Sequence, residues 1–305
     1  MSKLPKRITK RYAKTKFNTV GLCLSTYALL ILFVPLIFRK YLEVYHPYIL
    51  ATPFLYLDIC LLMIVLFTIF PFLIIRKSFE ISFANIFRRT KMSLKEIQDE
   101  AIIFFLVSSF AIFISTSIAS AIGKGGSLVY TIGSFKMEEY YNHFLYPIIF
   151  VLIVPVIEEY AFRGVLQKSL SRFGKYFALI VSSLIYSLAH GSVAEFIPSF
   201  VIAYYLGKIS LISGSIRPCI LIHMSFNLLL YLVSIIPNRY SLYVVIFLAV
   251  LYIAGIIKLL RFKHSTISFK YKKESFYIFK IFFLSFSVII SLILFIAHTV
   301  INFLL

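Results

Sequence analysis

Residues 144–167 read FLYPIIFVLIVPVIEEYAFRGVLQ, and this stretch decides how the chain folds. It is apolar through Ile157, as a helix entering a bilayer must be, and then brings in Glu158, Glu159 and Arg163. A charge at mid-bilayer costs about 2.5–3.5 kcal/mol on insertion scales, so such groups face a cavity or one another. Glu159 and Arg163 are spaced i,i+4 with the acid first, the favourable order for a helical ion pair. Glu158 projects about 100° away around the helix with no local cation, which makes it the candidate general base.

The surrounding sequence agrees with a membrane setting. Of 305 residues, 61% are hydrophobic and the mean hydropathy is +0.94, above the roughly 45–50% apolar share of soluble domains. Apolar runs predict spans at 19–38, 54–75, 101–122, 144–162, 177–194, 196–212, 218–236, 241–260 and 277–304. The expected fold is all-α, a polytopic integral membrane helical bundle with about eight or nine transmembrane helices. It divides into an N-terminal scaffold (1–143, three spans and a basic tail), a core (144–236) and C-terminal spans (237–305).

The formal charge of +19 would suit a nucleic-acid binder only if the cations formed one surface. They fall in alternate loops instead. With the N-terminus inside, 26 of the 31 Lys and Arg lie before residue 19 or in 76–100, 163–175, 208–217 and 258–280. The outer side keeps Arg39, Lys40, Lys124, Lys136 and Arg239. This is the positive-inside pattern, so the bilayer is the expected partner and no nucleic acid is. The N-terminus is expected in the cytoplasm, with the first run a retained anchor. Cys23, Cys60 and Cys219 lie in apolar runs and read as reduced structural thiols.

SLKEIQDE (93–100) reads as a solvated surface helix starting at Ser93. Between 123 and 143, GKGGS reads as a turn, and Glu138, Glu139 and His143 as water-facing. Asp58, alone in the second span, reads as structural or cavity-lining.

Two further stretches place polar groups inside spans. SLIYSLAHG (183–191) carries Tyr186 and His190 at i,i+4, and RPCILIHMSFN (217–227) carries His223 and Asn227 at the same spacing. A Glu/His pair can deprotonate a water, and an amide with a second imidazole can donate to a tetrahedral oxyanion. At 1.5 Å per residue, Glu158 lies about 15 Å from Lys168, and His223 and Asn227 roughly 9 and 15 Å from Arg217. His190, about 22 Å from Lys175, is out of step unless its helix tilts or starts below the interface. HExxH is absent, Asp58 and Asp99 do not supply an intramembrane aspartate pair, and His190-Gly191-Ser192 has no triad geometry.

EExxxR at 158–163 continuing as FRG, an aromatic-xxxH at 186–190, and HxxxN at 223–227 together resemble the CPBP family: type II CAAX prenyl endopeptidases and bacterial relatives known as bacteriocin-processing, self-immunity or abortive-infection membrane proteins. The resemblance implies that Glu158 and His190 activate water, that His223 and Asn227 form the oxyanion site, and that Glu159 and Arg163 organise it. Tyr186 replaces the family's usual Phe and reads as a tolerated change. No cofactor is expected; were zinc used, Glu158, His190 and His223 would be its ligands. The implied activity is intramembrane proteolysis of a membrane-associated peptide or protein. The composition points to a bacterial plasma membrane and to peptide or bacteriocin precursors as substrates. The rival is a non-catalytic bacteriocin self-immunity or peptide-binding membrane protein.

Overall fold

In lipid, backbone N–H and C=O groups must be satisfied within a segment, so long apolar runs become helices. The computed structural model describes residues 9–51, 53–121, 147–261 and 273–304. Among these there is no strand, and the chain is a polytopic helical membrane protein. The expectations for Lys124, Lys136, Glu138, Glu139 and His143 lie outside the described residues, as do the side chains of Asp58 and Cys60. Cys23 and Cys219 are buried free thiols.

The helices are α1 Lys10–Tyr45, α2 Pro53–Ser78, α3 Leu94–Ala121, α4 (148–170), α5 Lys175–Ala189, α6 Val193–Ser213, α7 Arg217–Ile235, α8 Ser241–Arg261, α9 Lys273–Phe283 and α10 Phe286–Leu304. Six stretches among the described residues are long and apolar enough to cross a membrane: α1, α3, α6, α7, α8 and 286–303 of α10. Two of the predicted spans differ for local reasons. The 177–194 run becomes the 15-residue α5, which stops at His190 because Gly191 takes a left-handed φ of 63°. The 277–304 run breaks between Phe283 and Phe286 into α9 and α10.

SLKEIQDE is not a free surface helix. It forms the first turns of α3, capped by a reciprocal box in which Ser93 N–H donates to Glu96 Oε2 at 2.7 Å and Glu96 N–H donates to Ser93 Oγ at 3.3 Å. Asp99 then pairs with Lys258 of α8, and Glu100 is buried, accepting from the Tyr205 hydroxyl of α6. These partners are distant in sequence, so periodicity alone did not reveal them.

Two apolar cores result. The larger joins α1, α2, α4, α5, α9 and α10; the smaller joins α3, α6 and α7, with α8 packed on its outside. α1 and α10 touch closely at Gly21, where a Cβ would stand 2.4 Å from the Val288 backbone nitrogen. Helix α4 lies at the centre, packed on α2, α5 and α7. At one end of the bundle the basic segments meet. Lys168 donates to the Asn85 carbonyl, Arg172 to the Phe79 carbonyl, and Arg88 Nε to the Gly214 carbonyl at 2.5 Å.

Candidate active site

The site begins with a proline. α4 is not a plain α-helix: i→i+5 bonded segments, Ile148–Ile153 and Glu159–Gln167, flank an α-helical turn, Val154–Glu158. Such π segments are rare and concentrate at functional sites. Pro155 has no N–H to give, and in the i→i+5 register the acceptor facing residue 155 is the Phe150 carbonyl. Asn227 of α7 supplies a donor there: its Nδ2 donates to Phe150 O at 2.9 Å. The amide is thus held at a fixed height beside the turn that carries Glu158, with its second N–H and its Oδ1 outside that bond.

All nine residues of Glu159–Gln167 are buried, so every polar group on that segment needs a partner within the protein. The Glu159 side chain is 0% exposed; its Oε1 lies 3.0 Å from Arg163 Nη1 and 3.0 Å from His223 Nδ1. The Arg163 contact is an ion pair set off the hydrogen-bond direction, and neither Arg163 Nη makes a hydrogen bond. Arg163 also stacks over the Tyr186 ring, 4.7 Å from its centroid. Because a carboxylate only accepts, the His223 Nδ1 must carry the proton, which leaves the lone pair of the neutral ring on Nε2.

Glu158 has different surroundings. Its side chain is 23% exposed and, among the described residues, pairs with no Lys or Arg; His223 Nε2 stands 3.9 Å from Glu158 Oε2. The same Oε2 accepts the Tyr186 hydroxyl at 2.8 Å. The hydroxyl at position 186 is therefore used, not merely tolerated. The depth count applied to Tyr186, about 16 Å from Lys175 at 1.5 Å per residue, matches Glu158 and could have named it from sequence.

His190 is not in polar contact with either carboxylate among the described residues. At the end of α5, its Nδ1 lies 2.9 Å from the Tyr186 carbonyl, which only accepts, so Nε2 carries the lone pair. Its ring lies 4.7 Å from that of Tyr186. The tyrosine thus stands between His190 and Glu158. The turn after His190 is held from α10, where Asn302 Nδ2 donates to Gly191 O at 2.8 Å and a Cβ on Gly191 would stand 2.1 Å from His298 Nδ1. Sequence reasoning missed Asn302 and His298, since both fall in a C-terminal span to which no functional role was given.

Glu158, Glu159, Arg163, Tyr186 and His223 are thus brought into one cluster, Asn227 sits one turn above His223, and His190 lies beyond Tyr186. As a zinc set these donors do not fit as placed. Two ligands of a tetrahedral zinc lie roughly 3.4 Å apart, closer than the 3.9 Å between His223 Nε2 and Glu158 Oε2. Among the described residues no three His, Cys, Asp or Glu side chains converge on one point.

Residues 141–229 match the family model described as Rce1-like, type II CAAX prenyl endopeptidase Rce1-like. The matched segment contains all three motifs and ends just past Asn227, which bears out the resemblance they carry. The chain matches no curated protein and no solved structure.

Proposed function

We propose that this type II CAAX endopeptidase-like core makes the chain an intramembrane endopeptidase, hydrolysing a peptide bond of a membrane-associated peptide or protein by a carboxylate-activated water. The observation that carries the reading is the division between two adjacent acids. Glu159 is buried and committed to Arg163 and His223, whereas Glu158 is partly exposed and, among the described residues, engaged by a neutral hydroxyl and, at 3.9 Å, by an imidazole nitrogen.

Glu158 takes the proton from a water held near His223 Nε2, and the Nε2 lone pair of His190 is the acceptor on the Tyr186 side of the site. As the hydroxide adds to the substrate carbonyl, Glu158 passes that proton to His223 Nε2, from which it goes on to the departing amine when the C–N bond breaks. The imidazolium then donates Nδ1–H to Glu159 and Nε2–H to the oxyanion, and Asn227 offers its second N–H. Glu159 holds the ring at the correct angle and faces its charge, while Arg163 pairs with Glu159 within the apolar core. Tyr186 holds Glu158 Oε2 by one hydrogen bond and leaves the other carboxylate oxygen free to accept the proton.

The test is cleavage by purified protein in lipid nanodiscs, using prenylated and unprenylated membrane-anchored peptides, for wild type, Glu158→Gln and His223→Ala. Each substitution should lower kcat/KM by at least about 100-fold. Full cleavage by both variants would sink the protease reading. Protection against a peptide toxin that survives Glu158→Gln would favour the peptide-binding alternative. Loss of cleavage on chelation, restored by zinc, would require a metal mechanism.

A further inference from the structure

A cavity of about 230 Å³ opens at the end of the bundle where the basic segments meet. Arg88, Lys168 and Lys175 stand around it, Arg163 and Gln167 form part of its wall, and none of the residues lining it is acidic. Like charges do not converge around an empty space without cost. Two of these cations are held there by backbone acceptors: Arg88 Nε by the Gly214 carbonyl at 2.5 Å, and Lys168 by the Asn85 carbonyl.

An independent observation comes from the wall itself. The Arg163 side chain is 1% exposed and Gln167 is 1% exposed, yet both Arg163 Nη atoms and Gln167 Oε1 have no hydrogen-bond partner. Buried polar atoms are almost always satisfied, so those left over call for a ligand or ordered water. The orphan donors on Arg163 suit an anion's oxygens, and the orphan acceptor on Gln167 suits a hydroxyl beside it. The cavity lies where the apolar helices α4, α5 and α6 give way to basic loops, and basic pockets between transmembrane helices bind lipid headgroups.

We infer that this cavity binds the phosphate of an anionic lipid headgroup, held between Arg88, Lys168 and Lys175 above Arg163, with a headgroup hydroxyl reaching Gln167. A zwitterionic headgroup would bring its own ammonium into a cationic cavity and is disfavoured. Because Arg163 is also the cation of Glu159, the bound phosphate competes with that carboxylate for one guanidinium and ties lipid occupancy to the acid–imidazole pair. The binding site itself does not depend on the chain being a protease.

The test uses the full chain in phosphatidylcholine nanodiscs with and without phosphatidylglycerol. The readouts are lipid retained in native mass spectrometry and the thermal unfolding midpoint. Wild type should retain phosphatidylglycerol over phosphatidylcholine and unfold at higher temperature in its presence. Lys175→Gln and Arg88→Gln should each reduce that preference about fivefold, with unfolding in phosphatidylcholine alone unchanged for Lys175→Gln, whose side chain is exposed at the rim. Retention and midpoint shift undiminished in Lys175→Gln and Lys175→Glu would overturn the assignment, as would an equal shift from inorganic phosphate in phosphatidylcholine discs, which would make the ligand a soluble anion. Displacement of the lipid by a peptide only when its C-terminal carboxylate is free would equally overturn it, giving the cavity to substrate.

Discussion

Glu158 and Glu159 are neighbours in the chain with different partners: Arg163 lies one turn from Glu159, while Tyr186 and His223 reach the two acids from 28 and 64 positions away. Tyr186 turns its hydroxyl to Glu158 and its ring face to Arg163, so one side chain touches Glu158 and the cation that pairs with Glu159. The expected consequence is specific. Tyr186→Phe keeps the ring and its packing but removes one hydrogen bond to a carboxylate, worth about 1.5–3 kcal/mol when a charged group is involved. Cleavage should fall by roughly tenfold or more with the thermal unfolding midpoint little changed, as steady-state kinetics and a melting curve on the same sample would report. An unchanged kcat/KM would mean that the hydroxyl does not orient Glu158. The i,i+4 rule made the Glu159–Arg163 pair legible because both partners lie on one helix. His223 Nδ1 at the same carboxylate was not legible as a contact, since it depends on how α7 is set against α4.

At the scale of elements, the non-α geometry of α4 follows from a single residue type. Pro155 leaves a carbonyl to be answered, and Asn227 answers it from a different helix. HxxxN was readable as a polar face, but the bond to Phe150 needs the i→i+5 register, which no apolar periodicity announces. The end of α5 is similar. Gly191 adopts φ 63° and lies under His298, so Gly191→Ala meets both backbone strain and a Cβ 2.1 Å from the imidazole. Asn302→Ala removes the bond to the Gly191 carbonyl without touching the carboxylates. That variant is expected to lose several-fold in cleavage while its melting temperature falls only slightly, because the contact lies at the end of α10 and not in its packed middle. Asn302→Asp cannot restore it, since an ionised carboxylate has no proton to donate to a carbonyl. Equal cleavage by wild type and Asn302→Ala would show that α10 does not position His190.

At the scale of the whole molecule, loop charge was the most informative feature of the sequence. Segments 76–100, 163–175 and 208–217 were placed on one side by their lysines and arginines, and they touch in the folded chain. Labelling should therefore treat them alike. With Cys23, Cys60 and Cys219 replaced by Ser, single cysteines at Arg89 and Arg217 should react with an impermeant maleimide from one face of oriented vesicles, and one at Arg239 from the other. Labelling of Arg89→Cys and Arg217→Cys from opposite faces would contradict this arrangement. Span boundaries were less legible, because hydropathy carries no mark for a helix that ends on a left-handed glycine or breaks after Phe283. The Asp99–Lys258 pair was legible only as two charges, since the residues lie 159 positions apart.

The hydrogen bond from Asn302 to Gly191 spans 111 residues, and that separation has a meaning in time as well as in space. Translation delivers Glu158, His190, His223 and Asn227 well before Asn302. The Glu159–Arg163 pair travels within one segment and can enter the bilayer already neutralised, but the turn behind His190 stays unbraced until α10 leaves the ribosome. A nascent chain would thus hold its polar groups before the turn behind His190 is braced, and on the proposed reading cleavage would reach its full rate only after α10 has packed.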